Sequence, residues 1–168
     1  FVLVSSSGAY RVAEENGTFT ARRVSNSSLI SDVQVDSFGN TWLFRSTNTG
    51  TIEIIGSNGE SSEVVLPFSG NILSAAISPE GSRLAVVISD SGQTVELFGI
   101  VRNQQGSPLR LTGNLVAEPE AVGVSSLTWQ SSTVLRILSK TSSGTGSIYD
   151  YPISGPRKQR TAPLITGS

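Results

Sequence analysis

Apolar and polar residues alternate along this chain in short runs, and no stretch holds the 3.6-residue period of a helix. The clearest run is "RLAVVIS" (83–89). Leu84, Val86 and Ile88 fall on one face and Ala85 and Val87 on the other, so both faces are apolar. A strand of that kind is expected between two packed layers. In "TIEIIGS", Ile52 and Ile54 alternate with Thr51 and Glu53, which leaves one face wetter. "TVELFGIV" sets Val95, Leu97 and Gly99 against Glu96 and Phe98. The glycine turns "ENGT" (15–18), "SNGE" (57–60) and "DSGQ" (90–93) supply the positive φ that hairpins need.

The order of elements recurs. "VDSFGNTWLF" (35–44), "ISPEGSRLAVV" (77–87) and "WQSSTVLRIL" (129–138) each run from an apolar residue through a polar turn into an alternating strand. Gly39 and Gly81 fall at the same place, 42 residues apart; the third copy lacks the glycine and is one residue shorter in the turn. Ile77 and Trp129 take equivalent positions in this alignment. Four short strands per unit of about 40 to 50 residues is the pattern of a propeller blade. The first 30 residues add three strands, "FVLVSS", "AYRVAE" and "FTARRVS", without a turn motif before them, so the chain starts inside a blade. The reading is all-β: a partial or small β-propeller of about four blades of four-stranded antiparallel sheets, with fifteen strands. It is a single domain over 1–168, with units at 1–28, 29–70, 71–121 and 122–168. Pro67, Pro79, Pro108, Pro119, Pro152, Pro156 and Pro163 all fall in turns or at strand ends.

Composition narrows the chemistry. Charged residues are 15% of the chain, against a typical value of about 25%, and Gly and Ser are plentiful, which suits strands and turns better than helices. A net charge of −1 offers no basic face for nucleic acid. No apolar run approaches the roughly 20 residues that span a bilayer. Neither a signal peptide nor an initiator Met is present, which reads as a mature piece or an excised part of a longer protein. With no Cys there is no disulfide, thiolate nucleophile or zinc–sulfur site, and with no His neither Ser-His-Asp nor Cys-His catalysis is open.

Candidate chemistry is thin. GxGxxG, GxxxxGK[ST] and GxSxG are all missing, and "SSGTGS" (142–147) reads as a flexible loop, not a phosphate cradle. The acid pairs Glu14/Glu15, Asp32/Asp36 and Glu118/Glu120 lie in or beside turns and are expected to be solvated. Asp36–Asn40 lacks the further acids of a calcium loop. No catalytic, cofactor or metal residues are assigned. Arg157, Lys158 and Arg160 in "GPRKQR", and Arg22 with Arg23, read as solvated basic spots; their functional alternative is contact with an acidic partner or anionic headgroups. Trp129 is expected in a blade core. Tyr149 and Tyr151 share one strand face, as core or interface, and join Arg157, Lys158 and Arg160 as the candidate partner-contact set. Asn16-Gly-Thr18 and Asn26-Ser-Ser28 match the glycosylation pattern, which matters only in a eukaryotic secretory pathway.

"AAISPEGSRLAVVISDSGQTVELFGIVR" followed by "VSSLTWQSSTVLRILSK" resembles the C-terminal propeller domain of the actinobacterial LpqB lipoprotein family. Ser78, Gly81, Arg83, Ala85, Val86, Val101, Arg102, Trp129, Thr133, Leu135 and Leu138 carry the match, and "GNTWLFRSTNTG" is similar to the segment before it. The resemblance covers roughly 30–155. "ISGPR" (153–157) stands where the family has an acidic-Gly turn, and "WQSS" has no acid. The resemblance implies an exported protein, tethered to the cell membrane by a lipidated Cys outside this chain, with a GerMN-type domain before the propeller. It also implies an accessory role beside an MtrA–MtrB type two-component system, through the extracytoplasmic domain of the sensor histidine kinase. It carries no catalytic residues.

The expected function is therefore a non-catalytic extracytoplasmic binding module with no cofactor, touching the membrane only through that anchor. The alternative is a propeller-type hydrolase of carbohydrate or lactone substrates, which would need carboxylates or a metal converging on the central channel, with Asp32, Asp36 and Asp90 as the acids for it. Fifteen strands make under four full blades, so the chain is expected either to be cut from a longer propeller or to self-associate through its open edges.

Overall fold

The computed structural model describes residues 2–5, 8–25, 29–47, 50–90, 92–117, 123–140, 146–154 and 158–160. Every regular element among them is a strand. The first sheet joins β1 (Val2–Ser5), β2 (Gly8–Glu15) and β3 (Thr18–Ser25). The second holds β4 (Ile30–Val35), β5 (Thr41–Arg45), β6 (Thr51–Ile55) and β7 (Ser61–Val65). The third holds β8 (Asn71–Ile77), β9 (Arg83–Ser89), β10 (Gln93–Arg102) and β11 (Pro108–Ala117). The fourth holds β12 (Val124–Ser131), β13 (Val134–Lys140), β14 (Gly146–Pro152) and β15 (Lys158–Arg160). All pairings are antiparallel and join consecutive strands, so each sheet is a meander.

Successive meanders stack face to face. β8 packs against both β4 and β12, which makes these first strands the inner edge of the array, while β7 and β11 meet at the outside. β1 touches β4 as β5 touches β8 and β9 touches β12. The three strands of the first sheet thus correspond to the second, third and fourth strands of the others, and the "ENGT" turn of β2–β3 matches the "SNGE" turn of β6–β7.

The two-sided strand does what its alternation demands. Leu84, Val86 and Ile88 enter one core with Trp42, Phe44, Ile52 and Ile54 of the second sheet. Ala85 and Val87 enter another with Trp129, Leu135, Ile137 and Tyr149 of the fourth. β9 is buried along Leu84–Ile88 because it is a wall common to both. A smaller cluster, Ala9, Leu43 and Ile55, joins the first two sheets. Ile77 pairs with Leu84, and Trp129 with Leu135, so the two hold equivalent places. Trp129 also donates its indole N–H to the Ala76 carbonyl at 3.0 Å, a stitch between the third and fourth sheets.

The repeated turn is conserved in shape up to its glycine. Gly39 and Gly81 have φ of 79° and 73°, and each donates its N–H to the carbonyl three residues back, Asp36 and Ser78. Beyond the glycine the third sheet carries one residue more: Ser78 bonds back to Arg83, whereas Asp36 bonds to Asn40. Pro67 and Pro79 lie in turns, Pro108 opens β11 and Pro152 closes β14; Pro119, Pro156 and Pro163 lie outside the described residues.

Candidate functional site

The turn Asp36–Asn40, between β4 and β5, is a densely bonded polar element. Asp36 is not the solvated loop acid that its sequence position suggests. Its side chain is fully buried. Oδ1 accepts the backbone N–H groups of Phe38 and Asn40, both at 2.9 Å, and Oδ2 accepts the Trp42 indole N–H at 2.8 Å. Arg102, at the end of β10, closes the site with Nη1 at 2.9 Å from Oδ2. The same guanidinium donates to the Gly81 carbonyl at 2.9 and 2.6 Å and to the Gly106 carbonyl at 2.7 Å. Its Cζ lies 4.6 Å from the centre of the Phe38 ring. Asn40 adds a second bond to the Gly106 carbonyl, at 3.1 Å.

One arginine fork thus clamps three turns from two sheets. Burial alone would raise the Asp36 carboxyl, but the bonds from Trp42 and Asn40 and the charge of Arg102 outweigh it, so its pKa lies below the ordinary value. A carboxylate and a guanidinium bonded on so many sides hold a surface in shape. Gly106 (φ 83°) lies against the Phe38 ring closely enough that any Cβ there would strike it.

Asp32 is also a stitch. Its Oδ2 accepts the Ala75 N–H of the third sheet at 2.9 Å, and its Oδ1 the Val33 N–H at 2.8 Å. Asp90 lines a separate depression with Glu96 and Phe68. The three acids that a hydrolase would need in one place are therefore committed to different ones. Glu14 and Glu15 are exposed at the end of β2, and Glu118 and Glu120 lie outside the described residues. Among the described residues no three His, Cys, Asp or Glu side chains cluster as metal ligands would.

Of the candidate contact set, Tyr149 and Tyr151 lie on β14 and Lys158 and Arg160 on the paired β15. Tyr149 is 4% exposed and belongs to the core between the third and fourth sheets. Tyr151 packs against the same core. Lys158 and Arg160 lie on β15, in register with Asp150 and Ile148 of β14. Arg157 lies outside the described residues, as do Asn26–Ser28 and most of "SSGTGS". Asp150 is engaged by Arg136 at 2.8 Å, and that bond raises the arginine's pKa.

Sequence reasoning missed a basic group on the first sheet. Arg11 on β2 lies directly across from Arg22 on β3, and Tyr10 across from Arg23. Arg22 and Arg23 stand out as neighbours in the chain; Arg11 joins them only once the hairpin register is known.

Two solved structures show the same fold. A chain of the crystal structure of a nidogen/laminin complex matches with a TM-score of 0.67 and 13% identity, over 97% of this chain and 62% of that one. TolB from Acinetobacter baumannii matches with a TM-score of 0.60 and 14% identity, over 90% of this chain and 37% of that one. The chain thus spans less than two thirds of either, and at these identities the likeness is one of fold. No curated protein matches the chain. The family model described as "Lipoprotein LpqB beta-propeller domain" matches residues 5–166.

Proposed function

Because the chain belongs to the family of LpqB lipoprotein β-propeller domains, we propose that it is a non-catalytic binding module held outside the cell membrane by its parent lipoprotein. Its partner in this reading is the extracytoplasmic domain of a sensor histidine kinase. The observation that carries it is the use of charge around Asp36. The polar centre around Asp36 locks the turns of two sheets together. Loops fixed on a rigid stack of sheets are a recognition surface. A specific contact needs about 800 Å² from each partner.

The test is surface plasmon resonance with the sensor's outer domain immobilised, together with autophosphorylation of the full kinase in liposomes. Saturable binding and a changed phosphorylation rate are expected. A flat response in both assays would exclude this partner. Self-association through sheet edges is part of the proposal and predicts a sedimentation coefficient that rises with concentration.

A further inference from the structure

We infer that Arg11 and Arg22 build a pocket for a tetrahedral phosphate oxyanion between the first and second sheets; Arg23, next on β3, points to the other face and lies over the Tyr10 ring. The inference stands whether or not a sensor kinase is the partner. The pocket has a volume of about 230 Å³ and is completed by Val24, Ile55, Ser57, Asn58 and Gly59. That is room for one phosphate group with its bound water.

Three observations converge. First, Arg11 and Arg22 are directly opposed across β2 and β3. Like charges in that register repel, and an isolated hairpin gains nothing from them. Second, neither has a carboxylate partner among the described residues. Arg11 makes one long bond, 3.4 Å, to the Gly39 carbonyl. The nearby acids are already engaged: Glu53 holds Arg45 at 3.0 Å and accepts from Ser25, and Glu60 accepts from Asn58 at 2.7 Å. Third, the pocket is a recess and not an open face: the buried Ile55 and the half-buried Val24 line it beside the arginines.

Arginine forks match phosphate oxygens in pairs, and two opposed forks favour a dianion over a carboxylate. The Ser57 hydroxyl supplies a neutral donor beside them. A free phosphate, a phosphate monoester and a lipid headgroup share this chemistry. The experiment separates the sources and uses the whole 168-residue chain. Calorimetry at constant ionic strength would titrate inorganic phosphate and, separately, acetate. Flotation would test phosphatidylglycerol against phosphatidylcholine vesicles.

Phosphate binding at least about tenfold tighter than acetate is expected, weakened about tenfold or more in Arg11→Gln and in Arg22→Gln. Arg110→Gln, an exposed arginine elsewhere, is the control and keeps wild-type affinity. Flotation with phosphatidylglycerol alone, lost in the same two variants, supports the headgroup as the source. Ser57→Asp tethers a carboxylate in the pocket; it is expected to raise the melting temperature and abolish phosphate binding. Equal affinity for acetate, or affinity unchanged by Arg11→Gln and Arg22→Gln in variants with wild-type circular dichroism, overturns the inference. So does phosphate binding that survives Ser57→Asp.

Discussion

Two arginines reach the turn Asp36–Asn40 from opposite sides, and they differ in almost everything but charge. Arg102 comes from the third sheet, is 10% exposed at its side chain, and meets a carboxylate, two turn carbonyls and an aromatic face. Arg11 comes from the first sheet, meets one carbonyl at 3.4 Å, and faces another arginine. The seam between the second and third sheets neutralises its own cation. The seam between the first and second leaves cations over. A buried charge with all its partners is architecture; an uncompensated cluster at a pocket is an invitation to a ligand.

The largest expected effect comes from breaking the closed side. Asp36→Ala strands Arg102 without its counter-ion and should cost about 3–5 kcal/mol, a large share of the roughly 5–15 kcal/mol that a domain has. Urea denaturation reads this as a drop in midpoint at constant slope. If Asp36→Ala costs under 1 kcal/mol, the two seams are not different in kind. Asp36→Ala combined with Arg102→Met should recover part of the loss, which gives the coupling of the pair.

Next comes Gly106→Ala. It forces an L residue to φ 83° and drives a methyl group into the Phe38 ring under Arg102. A loss of about 1–3 kcal/mol is expected by thermal melting.

Acid sharpens the contrast. The folded-state pKa of Asp36 is lowered, so its contribution is complete above about pH 4 and is lost as pH falls through the lowered pKa. Stability of the wild type should therefore fall below pH 4 more steeply than that of Asp36→Asn, measured as urea midpoints at successive pH values.

The open side should respond weakly or in the other direction. Thr41 has a fully buried hydroxyl with no bonding partner among the described residues. By alternation it shares the face of Leu43, toward the first sheet. Thr41→Val should stabilise by about 1 kcal/mol. Arg11→Gln relieves repulsion with Arg22 and should gain a few tenths of a kcal/mol, up to about 1, at low salt, and nothing at high salt. A marked loss in Arg11→Gln would place that residue among the structural arginines.

The contrast also marks what a one-dimensional reading reaches. Alternation in "RLAVVIS" was enough to assign β9 to two cores, because a strand's period is local. The turn glycines Gly39 and Gly81 were legible for the same reason. Asp36 was misread as solvated because its counter-ion is distant in the chain and its indole partner is seen only once the turn is folded: Arg102 arrives from another sheet, 66 residues on, and Trp42 from β5. Tyr149 was ambiguous because a lone apolar face does not say whether a sheet or a partner covers it. Arg11 was overlooked because only the register of β2 with β3 brings it opposite Arg22.

β9 has a consequence for how the molecule comes apart. Its side chains are shared between two neighbours, so neither can detach without exposing it. Amide protons of residues 84–88 should consequently be the last to exchange with deuterated solvent, and their exchange should report whole-molecule opening, not local fraying.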